Sequence, residues 1–315
     1  MDYNKAVSDM QYGDRVEGCY LLSSIVPKVT AANTDILCLR LSDVTGSISA
    51  CVRGGCTSVR ESDAGSVVLV RGEVGDFKGA PQLSVHSIRL ADARDDYDPR
   101  CLVPAAPLDA DEAMAEVRGW VASMEDTDYR LVCETMLERH GAAFSVCPAA
   151  KSIHHAFLSG LLMHTLNMLR MADAIAPLYG EIIDRDLLLA GVLLHDFGKL
   201  REFVRSELGL VTDYAVEGSL LGHPYMGAQE VAAVTSQLGT PGEKAMLLQH
   251  LLLSHHGQPE YGAAVVPQCA EAELLNSLDH IDSRMEIYAE TLCGIPAGSF
   301  SRRLPSMDKA LYRHR

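Results

Sequence analysis

No apolar stretch of this 315-residue chain reaches transmembrane length without a His, Asp or Pro interrupting it. The N-terminal residues Met1-Asp2-Tyr3-Asn4-Lys5 are polar, and no signal-peptide core follows them. These two absences set the expectation of a cytoplasmic protein with no membrane partner. Cys-x-x-Cys pairs are also missing. The nine cysteines are scattered, and an odd count in a chain without a secretion signal argues for reduced thiols over a disulfide framework. Positive charge is in short supply: 27 Lys and Arg face 42 Asp and Glu, for a net charge of −15. That balance excludes a polyanion held by bulk electrostatics, so any nucleic-acid contact must be local. No internal repeat appears, which removes the solenoid architectures.

What is present is a globular composition, with 48% hydrophobic residues and ordinary charge content. The length exceeds one typical domain, and two are expected. Between about Arg15 and Leu90 short alternating runs are broken by turn residues: Val16 to Leu22, Ile36 to Leu41, Ser47 to Val52, Val67 to Val74 and Gln82 to Leu90. Five such strands, with a tight Asp43-Val44-Thr45-Gly46 turn between the second and third, fit a small closed barrel, either OB-like or SH3-like. Asp- and Pro-rich text follows, Asp95-Asp96-Tyr97-Asp98-Pro99 and then Pro104 and Pro107, and reads as an extended linker. Helical periodicity takes over beyond it. Asp109 is placed to cap a helix running to about Ser123, and Asp126 a second ending near His140-Gly141. The expected organisation is a β barrel over residues 1–95, a linker over 96–110 and an all-α domain over 111–315.

In the helical half, Leu187-Leu188-Leu189-Ala190-Gly191-Val192-Leu193-Leu194 is apolar on every side and leads directly into His195-Asp196. Such a run reads as a buried helix, with Asp184 as its cap, that carries a histidine and a carboxylate into the interior. A buried carboxylate is costly unless something positive compensates it. A hydrogen-bonded His–Asp core pair would suffice for an isolated dipeptide. Here His164, His223, His255-His256 and Asp279 also sit beside apolar residues, and a shared metal centre answers all of them.

The order His164, His195-Asp196, His223, His255-His256, Asp279 resembles the HD superfamily of metal-dependent phosphohydrolases over residues 151 to 295. In that resemblance His164, His195, Asp196 and Asp279 match the four-residue signature. His223, His255 and His256 match the extra ligands of the two-metal branch, which implies two divalent ions with Asp196 as the bridge. A ligand set rich in imidazole suits Mn, Fe, Co or Ni better than Mg, with Mn the first expectation. His154 lies about three helical turns before His164, too far to share its metal, so Lys151, His154 and His155 are assigned to substrate phosphate. A capped helix start with an exposed lysine is the rival reading. Lys199, one turn after His195, is assigned with Lys151 and Asp196 to catalysis, against the alternative of a solvated lysine.

Leu41-Ser42-Asp43-Val44-Thr45-Gly46-Ser47-Ile48 and Phe77-Lys78-Gly79-Ala80-Pro81-Gln82-Leu83 look like single-strand-binding OB modules. The candidate strand contacts there are Arg40, Arg53, Phe77, Lys78 and Arg89, with Phe77 able to stack a base. Combined with Pro148-Ala149-Ala150-Lys151-Ser152-Ile153-His154-His155 and Leu248-Gln249-His250-Leu251-Leu252-Leu253-Ser254-His255-His256-Gly257, this layout resembles the YhaM family of 3′→5′ exoribonucleases. The resemblance implies trimming of single-stranded RNA, or DNA, from its 3′ end, with the barrel feeding the strand to the metals. It also gives His250 a supporting position near the ligands. The competing assignment is an HD enzyme acting on a small nucleotide or cyclic dinucleotide, its β domain regulatory. The lack of Arg-Asp-Gly and Gly-Tyr-Pro text after His256 counts against the cyclic-dinucleotide form. A binding protein with a merely structural HD core is the third class. Self-association through the barrel would make a homo-oligomer. The closing stretch, with Arg302, Arg303, Lys309, Arg313 and Arg315, is basic in an acidic chain and is either a tail or an anion-binding patch.

Overall fold

The computed structural model describes residues 2–29, 35–53, 58–77, 79–151, 155–206 and 208–315. The chain divides into two compact units, residues 1–105 with 206–208, and residues 106–205 with 209–315.

In the first unit a short strand β1 (Asp2–Tyr3) pairs parallel with the start of β2 (Arg15–Val29). The long β2 strand then pairs with β3 (Asp35–Asp43) through its second half, past a bulge between Leu22 and Ser24. Its first half pairs with β5 (Val67–Phe77). β4 (Gly46–Arg53) joins β3 to β6 (Ala80–Leu90), and β6 joins β5, so the order β2-β3-β4-β6-β5 closes back on β2. Closure leaves the five long strands without a free edge. This is the OB topology. Alternate residues fill the interior, among them Val16, Tyr20, Leu22, Val68, Val70, Val74 and Leu83. The β3–β4 turn forms where the Asp-Val-Thr-Gly text places it: Asp43 Oδ1 accepts from the Thr45 and Gly46 amides at 2.8 and 3.1 Å.

The Asp- and Pro-rich segment is less extended than its composition implies. It contains a helical turn, α1 (Pro99–Leu102), with Asp98 accepting from the Arg100 amide and Pro99 at its first position. The Cys101 carbonyl accepts from the Val44 amide at 3.0 Å, and Leu102 and Val103 are buried. Asp followed by Pro is a helix-start signal as well as a linker composition.

The second unit is built from α2 (Ala110–Ala122), α3 (Thr127–Phe144), α4 (Gly160–Ile175) and α5 (Arg185–Leu194). After them come α6 (Lys199–Glu202), the paired strands β7 (Phe203–Arg205) and β8 (Val211–Tyr214), α7 (Val216–Leu221), α8 (His223–Leu238), α9 (Gly242–Ser254) and α10 (Ala270–Cys293). The helix α5 is central. Leu187 through Leu194 are all buried, and α3, α4, α9 and α10 pack around them. Asp109, Asp126 and Asp184 each cap the helix that follows, and α3 runs three residues beyond the expected His140-Gly141. No helix among the described residues is long and apolar enough to cross a membrane.

The Asp184 carboxylate accepts from the amides of Asp186 and Leu187, two of the donors left free at the start of α5. Asp184→Ala is expected to lower unfolding stability by about 1 kcal/mol, read as a lower urea midpoint at unchanged slope. An unchanged midpoint would show that the cap contributes nothing.

Candidate metal centre and active-site cavity

Helices α5 and α9 end in the same way, and their ends define the site. Each stops at a histidine that forms its C-cap, His195 after α5 and His255 after α9. The last carbonyls of a helix lack backbone partners. The imidazoles use them: Nδ1 of His195 lies 2.8 Å from the Val192 carbonyl, and Nδ1 of His255 lies 2.7 Å from that of Leu252. With Nδ1 donating to a carbonyl, Nε2 of each ring is an unprotonated ligand atom facing inward. The two helices approach closely because Gly191 has no side chain. A Cβ there would lie 2.3 Å from Leu251 Cδ2.

His164 on α4 and His223 at the start of α8 are held by carboxylates instead. His164 Nδ1 is 2.7 Å from Asp282 Oδ2, whose Oδ1 accepts from Asn167 at 3.1 Å. His223 Nδ1 is 2.9 Å from Glu202 Oε2, and the His223 amide donates to Oε1 at 3.0 Å. Gly198 permits this approach, since a Cβ there would sit 2.1 Å from the His223 carbonyl oxygen.

Asp196 faces both sides of the arrangement. Its Oδ2 lies 3.3 Å from His195 Nε2 and 3.9 Å from His164 Nε2, while its Oδ1 lies 3.3 Å from His223 Nε2 and 3.8 Å from His255 Nε2. Asp279 Oδ1 is 3.4 Å from His164 Nε2. Two ligand groups result, His164–His195–Asp196 and His223–His255–His256, each with its ligand atoms within 4.8 Å of one another. The atoms His195 Nε2, Asp196 Oδ1, His223 Nε2, His255 Nε2 and His256 Nδ1 are buried without a hydrogen-bond partner among the described residues. Buried polar atoms are ordinarily satisfied. Five unsatisfied ones converging on one space fit divalent ions, and all seven ligands expected from sequence are gathered here. A third group, His155–His164–Asp282, is equally close-set. In it His164 Nδ1 is committed to Asp282 Oδ2 at 2.7 Å, and His155 Nε2 lies 3.4 Å from the same oxygen.

Electrostatics favour the ligand-ready protonation state of Asp196, Asp279, His255 and His256, whereas the Asp196 charge raises His195 against its burial. Burial pushes the Asp196 carboxyl up, but Lys199, His195 and His223 outweigh it and hold the group well below the ordinary carboxylate range. Burial likewise opposes ionisation of Asp279, and His164 and His195 again prevail. Burial drives His255 far down, with His256 and His195 adding to it. Burial and then His223 push His256 down to about 4.

The ligands open onto a cavity of about 760 Å³ lined by Asp196, Lys199, His223, His256 and Asp279. Its outer wall includes Phe203, Tyr214, Tyr261, Asn276, His280 and Arg284. Lys199 stands in this cavity beside Asp196: its Nζ is 2.7 Å from Asp196 Oδ2 and only 13% of its side chain is exposed.

Two of the remaining sequence assignments are corrected here. His155 is fully buried, with Nε2 3.4 Å from Asp282 Oδ2 and 3.8 Å from Glu286 Oε2. It supports the carboxylate behind His164 and cannot touch a substrate phosphate. Lys151 pairs with Asp213 at 3.1 Å and lies 5.8 Å from the Tyr214 ring centre, and it does not line the cavity. His250 accepts from the Gln268 amide at 2.9 Å, so its Nε2 fixes a loop. His154 and Lys78 lie outside the described residues, as does the side chain of Arg53. On the barrel, Arg40 donates to Ser47 at 2.9 Å and Phe77 is exposed, while Arg89 is tied up by both Asp95 oxygens. Sequence reasoning missed Asp282, Glu202 and Asn276, whose Nδ2 donates to the His255 carbonyl at 2.7 Å. A signal existed for Asp282, which lies three residues after Asp279 on one helical face.

Two outcomes follow from this geometry. Asp196→Ala is expected to abolish hydrolysis and lower both metal equivalents, while His223→Ala and His255→Ala each deplete mainly one, as read by elemental analysis of purified protein. Two full equivalents in Asp196→Ala would contradict the bridging role. The second concerns pH in the metal-free protein. His255 and His256 are depressed when folded and return on unfolding to about 6.5. Below that pH the unfolded chain binds protons that the folded chain refuses, so stability present above pH 6.5 is lost as pH falls toward 4. His195 is raised by Asp196 against burial, and its contribution is complete below 6.5, so it offsets nothing in this window. The urea midpoint should therefore drop between pH 6.5 and 4.5, and a level or rising midpoint would refute the assignment.

The model of the HD domain matches residues 161–284, which contain all seven candidate ligands. The chain is 35% identical over 300 residues to the 3′-5′ exoribonuclease YhaM of Halalkalibacterium halodurans, covering 95% of this chain and 92% of that one. It is 32% identical over 305 residues to YhaM of Bacillus subtilis, with 96% of each chain covered. Among solved structures, the second OB-fold domain of replication protein A from Methanococcus maripaludis is 17% identical, covers 31% of this chain and 100% of its own, and has a TM-score of 0.25. Near-complete coverage of both chains at such identity places this protein in the YhaM family of 3′-5′ exoribonucleases.

Proposed function

We propose that the protein is a metal-dependent 3′→5′ exoribonuclease acting on single-stranded RNA, or DNA, at a centre of two divalent ions, with Mn first among Mn, Fe, Co and Ni. The observation that carries the two-ion reading is Asp196, whose Oδ2 faces His195 and His164 while its Oδ1 faces His223 and His255. RNA as substrate and the 3′→5′ polarity are supported by the activity for which the relatives are named.

His164, His195, Asp196 and Asp279 would hold one ion, and His223, His255, His256 and Asp196 the other. Bound there, such ions acidify water and stabilise charge on phosphodiester oxygens. The chain's own residues do the rest. The carbonyls of Val192 and Leu252 and the carboxylates of Asp282 and Glu202 fix four imidazoles in the ligating tautomer. Lys199 stays protonated, because Asp196 and its hydrogen bond outweigh the burial that lowers its basicity. Its ammonium enters the cavity where a non-bridging phosphate oxygen would gather charge. Phe203 and Tyr214, packed edge to face at 5.6 Å, give the cavity an aromatic wall beside the ligands.

Purified protein with Mn²⁺ and 5′-labelled single-stranded RNA should give a ladder shortening from the 3′ end, and cyclic dinucleotides in parallel should stay intact. Cleavage of the dinucleotides with untouched RNA would reverse the assignment. Lys199→Ala should keep its metals and lose turnover by a factor on the order of 10², whereas Lys151→Ala should stay near the parental rate. Parental turnover in Lys199→Ala would reduce that lysine to a counter-charge for Asp196.

A further inference from the structure

The basic closing stretch is a folded hairpin. β9 (Ser299–Phe300) pairs antiparallel with β10 (Tyr312–Arg313), and a bridge joins Leu304 to Lys309. The hairpin lies back along the second half of α10. Arg313 donates to the Leu292 and Ile295 carbonyls at 3.1 and 2.7 Å, Lys309 sits 5.5 Å from the Tyr288 ring centre, and Leu311 is buried. Its tip reaches the cavity, where Ser306 lines the wall together with Ser283 and Arg284 of α10.

The outer end of the hairpin carries two aromatic rings that the fold leaves uncovered. Phe300 is 68% and Tyr312 48% exposed, with ring centres 4.9 Å apart. Exposed Arg302 and Arg303 closely follow Phe300 in sequence, and residues 299–315 hold five Lys and Arg side chains against the single side-chain carboxylate of Asp308 in a chain of net charge −15. Arg303 pairs with Asp308, but the two side chains are 68% and 85% exposed, so a phosphate can compete for the guanidinium at little cost. Uncovered aromatics beside cations, on a hairpin whose tip lines the cavity, suit a single-strand path: rings stack bases of any identity, and cations track phosphates.

Resting on the exoribonuclease reading, we infer that this hairpin binds the RNA strand upstream of the nucleotide being removed. Phe300 and Tyr312 stack a base, Arg302 and Arg303 take phosphates, and Arg284 receives the strand where it leaves the cavity. The strand thus has an anchor on the catalytic unit itself.

The test uses the full chain with Phe300→Ala/Tyr312→Ala and with Arg302→Glu/Arg303→Glu. Binding of a fluorescent single-stranded 15-mer is followed by anisotropy with EDTA present, alongside metal content, turnover of bis(p-nitrophenyl) phosphate and mass by light scattering. The aromatic variant should bind about tenfold or more weakly, the scale of a missing base stack. The arginine variant should also flatten the dependence of log affinity on log salt by about 0.7 for each phosphate no longer held. Metal content and small-ester turnover should be parental in both. A 4-thiouridine placed upstream of the 3′ end should crosslink to the peptide bearing Phe300 or Tyr312 in the unaltered protein. Parental RNA binding in both variants, with RNA still trimmed, overturns the inference and leaves the exoribonuclease reading standing. A changed mass with parental RNA binding overturns it in favour of an interface between copies of this chain. An unaltered protein that neither binds nor trims RNA overturns both.

Discussion

The buried carboxylate of Asp196 is the constraint around which the helical unit is arranged. Only 4% of its side chain is exposed, and an ionised group in that position needs positive partners on every side. Lys199 reaches Oδ2, and imidazoles from α4, α5, α8 and α9 converge on the two oxygens. The hydrophobic core serves this requirement. An α5 helix buried from Leu187 to Leu194 fixes the position of its own end, and α4, α9 and α10, packed around it, carry or lead into His164, His255-His256 and Asp279. The core sets the geometry of the site because the ligands stand at the ends and inner faces of the core helices.

Two physical devices hold the imidazoles, and they divide by position on the helix. Where a ligand stands at a helix C-terminus, as His195 and His255 do, a free carbonyl three residues earlier accepts from Nδ1 and no other residue is needed. Where a ligand stands inside or at the start of a helix, as His164 and His223 do, the local carbonyls are used or absent, and a distant carboxylate takes the role. Asp282 and Glu202 are therefore consequences of where His164 and His223 sit. The same logic explains His155. Asp282 is itself buried and needs donors, and Asn167 and His155 approach it from behind.

This division decides how much of the site could be read from the chain. That these His and Asp residues gather was legible because each interrupts an apolar run, and a His or Asp amid buried leucines demands a partner. The caps at Asp109, Asp126 and Asp184 were legible because capping is local in sequence. The barrel was legible through its strict alternation and its Asp-Val-Thr-Gly turn. The supports were not, since Glu202 precedes His223 by 21 residues and Asp282 follows His164 by 118, separations at which sequence carries no pairing signal. His155 was misassigned because its neighbours Lys151 and His154 suggest a basic cluster, whereas the backbone turns it inward at φ 53°. The β7–β8 pair that supplies Phe203 and Tyr214 to the cavity wall went unread, because three or four residues are too few to show alternation.

Charge placement connects the centre to the strand it would act on. With a net charge of −15, the surface as a whole repels a polyanion at long range, and that repulsion is screened beyond about 8 Å at physiological salt. Attraction must then come from contacts shorter than this, and the cations that line or approach the cavity have that character. Lys199 is held against Asp196 and Arg284 stands at the cavity wall, while many other arginines are neutralised in pairs, such as Arg89 with Asp95 and Arg170 with Glu116. Among the described residues that line the cavity, Lys199 and Arg284 are the lysine and arginine. An enzyme that shortens a strand one nucleotide at a time must also let each product go. A chain of net charge −15 with a few local cations would serve both parts of that cycle: short-range capture at the reacting phosphate, and little excess positive charge outside the hairpin to hold the released nucleotide.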